Sequence, residues 1–140
     1  MDSYNQNERR EIIMDYYKNP KRKKPMDFDL KNAKTYYHHS TNCVDEITLI
    51  RPKKENDYYY TAIGCAIFLA STEVFLEIAA INEFNNMDAL VTNFKKLINQ
   101  EELSESELIS LGKLKIFSNV KKHLNRVECA LMITKVIEKI

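Results

Sequence analysis

The chain has 140 residues, 44% of them hydrophobic and 29% charged, with a formal net charge of +1. That length suits one domain, residues 1–140, large enough to bury a core without disulfide staples. The near-neutral balance gives no reason to expect nucleic-acid or membrane binding, and no apolar run approaches the roughly 20 residues of a membrane span.

The opening stretch, about residues 1–8, is polar and reads as frayed, with no apolar segment of the secretory kind. Glu8 to Lys18 places Ile12, Ile13, Tyr16 and Tyr17 on one face at helical spacing, and Asn19-Pro20 stops that helix. The basic run Lys18 to Lys24 leads into a loop and reads as a solvated segment, or as a dock for an acidic partner. Thr35–His38, Glu46–Arg51 and Tyr58–Ile63 are rich in aromatic and β-branched residues and predict three antiparallel strands. After Gly64 the pattern turns helical. Helices are expected over Ala66–Ile81, Asp88–Asn99, a short acidic Glu101–Ser110, Ile116–Leu124 and Val127–Ile140. The order gives an α+β fold, a three-stranded antiparallel sheet with helices packed on one face.

Cys43, Cys65 and Cys129 are the only cysteines. An odd number without an export signal argues for reduced thiols in the cytoplasm. A lone cysteine is usually a small core hydrophobe. Yet Cys65 precedes a helix and Cys129 is expected to open one, where the macrodipole and free N–H groups stabilise a thiolate. Cys43 sits in a polar segment, and Asp45 follows two residues later, on the same side if the backbone is extended. Three thiols and one carboxylate make the four ligands that tetrahedral zinc takes; the same thiols suit an iron–sulfur cluster. The spacing is not CxxC, so the residues alone leave a shared site open.

Several stretches resemble one family, the SufU/IscU/NifU-N-terminal type of iron–sulfur cluster assembly proteins. Ile13-Met14-Asp15-Tyr16-Tyr17-Lys18-Asn19-Pro20 looks like its opening helix. Asn42-Cys43-Val44-Asp45, Gly64-Cys65-Ala66-Ile67 with Ala70-Ser71, and Arg126-Val127-Glu128-Cys129-Ala130 resemble its three cysteine motifs, in order. The likeness runs from about Ile12 to Ile137 and is closest to the SufU branch. The interval between Cys65 and Cys129 is long, with Met87 to Leu114 where SufU-type proteins carry an insertion. Glu128 stands where IscU-type scaffolds have histidine, Lys121 to Asn125 lacks their proline-containing motif, and Arg126 matches a SufU-type arginine.

The resemblance implies a SufU/IscU-like fold and a zinc site formed by Cys43, Asp45, Cys65 and Cys129. It further implies that Cys43 accepts persulfide sulfur from a cysteine desulfurase of SufS/IscS/NifS type, for a downstream sulfur or cluster acceptor. That is a zinc-dependent sulfurtransferase at most, as enzymes go. The alternatives are a scaffold for a transient [2Fe–2S] cluster or iron on Cys43, Cys65 and Cys129, and a non-catalytic module with structural zinc. Arg126 is a candidate to pair with Asp45 or steady a displaced thiolate. Val44 replaces the family's usual glycine, which predicts a stiffer loop around Cys43. His38-His39 invites a ligand reading for at most one ring, since neighbouring strand residues face opposite ways. His123 reads as an exposed helical histidine.

Overall fold

A computed structural model describes residues 4–41, 43–120 and 124–140. Helix α1 spans Gln6–Lys18 and starts two residues earlier than its apolar pattern suggests. The reason is local. Asn5 accepts from the Glu8 amide while the Glu8 side chain accepts from the Asn5 amide, a capping box that satisfies two otherwise orphaned donors. Residues 5–8 thus form the capped start of the helix, within the stretch expected to fray; residues 1–3 lie outside the description.

Strands β1 (Ala33–His39), β2 (Glu46–Pro52) and β3 (Tyr59–Ile63) form one antiparallel sheet in the order β1-β2-β3. The register pairs His38 with Ile47 and Ile47 with Ala62, then Tyr36 with Leu49 and Leu49 with Tyr60. Those residues share one face, and Ile47, Leu49, Tyr60 and Ala62 are buried in the core. Helix α2 (Ala66–Ile81) follows and is covered from Phe68 to Leu76, so it is a central helix and not an amphipathic surface one. It packs on α1 and on α5 (Leu124–Ile137), and α5 packs on β1 and β2. Helices α3 (Met87–Ile98) and α4 (Glu105–Leu111) complete the helical layer.

Two expected elements differ. Where a helix is expected from Ile116, a 3-10 segment occupies Gly112–Phe117, with Leu114 and Phe117 buried at the three-residue spacing that stacks on one side of such a turn. Residues 121–123, His123 among them, lie outside the description. The last helix begins at Leu124, so Cys129 is its sixth residue and does not open it.

The basic segment after α1 is not simply solvated. Lys23 bridges Tyr60 in parallel, with the Tyr60 amide donating to Arg22 O and the Lys24 amide to Tyr60 O. This covers part of the free edge of β3. Buried Glu73 of α2 anchors the same segment, accepting from the amides of Lys21 and Arg22 at 3.0 and 3.1 Å and from the Tyr60 hydroxyl at 2.6 Å.

Candidate metal and sulfur site

Three elements deliver the candidate ligands to one end of the sheet. Asp45 ends the β1–β2 connection and is only 3% exposed. Its carbonyl accepts from the amide of Ser40 at 2.9 Å, closing the loop that carries Cys43. The hydroxyl of Ser40, itself buried, donates to Glu128 of α5 and ties that loop's root to the helix bearing Cys129. Cys65 is the N-cap of α2, in extended backbone, and makes no capping bond with its side chain. Its thiol donates instead to Oδ2 of Asp45 at 3.8 Å.

Gly64 explains why the β3–α2 junction can lie so close. A Cβ at that position would stand 2.7 Å from Oδ1 of Asp45 and collide with the buried ring of Phe68. Glycine is needed here for close approach, not for an unusual φ.

The ligand atoms of Asp45, Cys65 and Cys129 all lie within 4.8 Å of one another. Donors on a tetrahedral zinc, with bonds of about 2.0–2.3 Å, stand about 3.3–3.8 Å apart. A closure of about 1 Å therefore suffices, and two sulfurs with one carboxylate oxygen are a donor set that zinc accepts. Cys43 is exposed and outside this trio. Val44 is 74% exposed and is not among the residues with positive φ, so valine sits there without strain.

Two expectations about the thiols need correction or refinement. Cys129 stands beyond the first turn of α5, where the helix-terminal field has faded. Burial, aided by the nearby Cys65 and Asp45, pushes its thiol up rather than down. Arg126 is exposed and has no hydrogen bond or ion pair with Asp45 among the described residues. It lines a groove of about 480 Å³ together with Arg9, Arg10, Ile13, Cys65 and Cys129. Sequence reading missed this groove because α1 reaches the thiols only through tertiary packing. Arg9 is fixed there by donating to Ile116 O at 3.0 Å and to Ser118 Oγ at 2.8 Å.

Neither histidine of the β1 pair joins the trio. His38 shares the inward register of Ile47, and its burial, with Lys139 and Lys135 nearby, lowers its pKa.

The profile of the NifU-like N-terminal domain matches residues 8–130, from α1 to just past Cys129. The chain belongs to that family. Within the NifU-like family it is 26% identical, over 137 residues, to a protein of Bacillus subtilis (strain 168) named zinc-dependent sulfurtransferase SufU. That match covers 93% of this chain and 86% of the relative. A solved structure from Fervidobacterium islandicum AW-1, described as a putative iron–sulfur cluster assembly scaffold protein for the SUF system, is 26% identical with a TM-score of 0.70. The likeness covers 97% of this chain and 94% of that one. A nitrogen-fixing NifU-like protein (N-terminal) from Brucella abortus shares the fold, with a TM-score of 0.65 at 14% identity over 91% of this chain and 88% of its own. The expected sheet and helical layer are those of this family. Among the described residues, no helix is long and apolar enough to cross a membrane.

Proposed function

We propose that this chain is an iron–sulfur cluster assembly protein of the SufU kind, a zinc protein that takes sulfur from a cysteine desulfurase at Cys43. The observation that carries the reading is the convergence of Asp45, Cys65 and Cys129, with exposed Cys43 two residues before Asp45. The name of the Bacillus relative supports zinc and sulfur transfer.

In this reading Asp45, Cys65 and Cys129 hold the metal and Cys43 is the fourth ligand. Zinc, when bound, keeps its sulfur ligands as thiolates at neutral pH. The Cys43 thiolate attacks the outer sulfur of the donor's cysteine persulfide. The donor's S–S bond breaks, its cysteine leaves as a thiolate, and Cys43 carries the new persulfide, so no oxidant or reductant is consumed. Asp45 is the harder donor of the set and the one best suited to exchange for another ligand. Arg126, on the groove wall with Cys65 and Cys129, supplies a cation to a displaced thiolate. A downstream acceptor then removes the sulfur, and a relay of this kind needs reduced thiols, which the cytoplasm maintains.

A second reading, a [2Fe–2S] scaffold on Cys43, Cys65 and Cys129, is favoured by the description of the Fervidobacterium relative. Weighing against it, the residue beside Cys129 is Glu128, held by Ser40, whereas clusters are anchored by cysteine or histidine. Two measurements decide. A cysteine desulfurase supplied with cysteine releases alanine faster with this protein, and Cys43→Ser abolishes the acceleration; equal acceleration by that variant overturns the relay. Protein purified without oxygen is colourless and contains zinc; brown, cluster-bearing protein favours the scaffold.

A further inference from the structure

Charge is strongly segregated in this nearly neutral chain. Residues 18–34 and 51–57 carry ten cations against four carboxylates, so the remainder of the chain has an excess of five carboxylates. The fold brings the two segments together. Lys34 pairs with Arg51 across β1 and β2, the Lys53 amide donates to Asn32 O, and Arg22 pairs with Asp57 at 3.2 Å.

This basic region is at the far end of the sheet from the thiols. Asp45 precedes β2 and Cys65 follows β3, whereas Arg51 and Lys53 stand where β2 ends. The length of β2 separates the two ends by about 20 Å at about 3.4 Å per residue.

Folding alone does not account for the arrangement. Like charges directly opposite one another on paired strands destabilise a sheet, yet Lys34 faces Arg51. A lysine on edge strand β1 guards against sheet association, but Lys31, Lys53 and Lys54 lie off that strand. Among the described residues, none of Lys31, Lys34, Lys53 and Lys54 is ion-paired. Lys34, Arg51 and Lys53 instead line a hollow of about 220 Å³.

We propose that this end of the sheet is a docking surface for an acidic protein, anchored by carboxylates entering the hollow between Lys34, Arg51 and Lys53. A protein fits better than a nucleic acid for two reasons. Asp27, Asp29 and Glu55 are interspersed among the cations; they repel a continuous phosphate track but pair with basic side chains on a partner. The rings that could stack on bases are already covered, with the Lys24 ammonium 4.6 Å from the Tyr59 centroid and 5.5 Å from that of Phe28. A partner bound here leaves the thiol end open to a second protein. The proposal does not depend on the sulfur-relay reading.

The test is fluorescence anisotropy on the full chain with two labelled probes, a peptide of alternating Glu and Gly and a single-stranded RNA of equal charge. The peptide binds, more weakly as salt rises, and Lys34→Glu with Lys53→Glu weakens it about tenfold by reversing the complementarity. Lys135→Glu, an exposed change on α5, leaves it within about twofold. Melting curves confirm that each variant is folded; if the double variant is not, Lys34→Gln with Lys53→Gln replaces it, with a smaller loss in the same direction. Absence of peptide binding, an undiminished affinity in the charge variants, or tighter binding of the RNA lost in those same variants overturns the proposal.

Discussion

The thiol of Cys65 donates to Oδ2 of Asp45 at 3.8 Å, joining the residue that starts α2 to the one that precedes β2. Because Asp45 is buried, that contact has no ready replacement from solvent. If Asp45 is a ligand, zinc stabilises the fold by mass action, about 2.7 kcal/mol at a hundredfold excess over Kd. For a chain of this size that is roughly a 9 °C rise in Tm. Asp45→Ala loses most of the rise, read by thermal melts with and without zinc. An undiminished rise removes Asp45 from the ligand set.

Gly64→Ala puts a methyl group against Phe68 and 2.7 Å from Oδ1 of Asp45. Overpacking of this kind costs about 1–3 kcal/mol. The variant melts lower and retains less zinc after dialysis. A variant as stable as the native chain would show that the junction has room to relax.

Glu73 accepts from two amides and the Tyr60 hydroxyl while 3% exposed. Glu73→Ala strands these donors and costs about 3 kcal/mol, measured by urea unfolding. Glu73→Gln keeps one acceptor oxygen and costs less. Equal losses in the two variants would mean that the one oxygen glutamine keeps does not hold the segment, and that both carboxylate oxygens are needed.

Several tyrosines ionise late, Tyr59 and Tyr60 most of all. Desolvation beside Glu73 drives the Tyr60 hydroxyl far above its usual range, and hydrogen bonding to Glu55 lifts Tyr59 to about 12. The folded chain holds the Tyr60 proton more tightly than the unfolded one, whose tyrosines titrate near 10. Stability is therefore unaffected by this group below about pH 10 and falls as pH rises beyond it. A titration followed at 295 nm should show Tyr60 ionising only with unfolding, and Tyr60→Phe should soften the alkaline loss.

Val44→Gly widens the backbone choices beside Cys43 without relieving any strain, since Val44 has an ordinary φ. It costs about 0.5–1 kcal/mol in Tm-derived stability. In the relay reading it also speeds persulfide transfer to Cys43, followed in single-turnover assays. Slower transfer would mean that the valine positions the cysteine.

The strands and α2 were legible because their signals are local. Alternation in Glu46–Arg51 and an unbroken run from Ala66 to Ile81 need no knowledge of the rest of the fold. Cys129 reads as a helix start because the helix-like pattern of Ile116–Leu124 runs up to the true start, at Leu124, and hides the boundary. The partly covered edge of β3 was invisible for another reason. It depends on Glu73 reaching backbone amides fifty residues away, and an acidic residue inside an apolar helix does not announce its partner. The site was legible as residue types in order, but the Gly64–Asp45 approach and the arginine-lined groove required the packed structure.

Ser40 fastens the connection between β1 and β2 twice, by its amide to Asp45 and by its hydroxyl to Glu128. Cys43 and Val44, beyond that double knot, are both exposed and lie outside the buried core. In the relay reading, changes at positions 43 and 44 can therefore retune sulfur transfer while the scaffold beneath stays put, giving natural variation a place to act without endangering the fold.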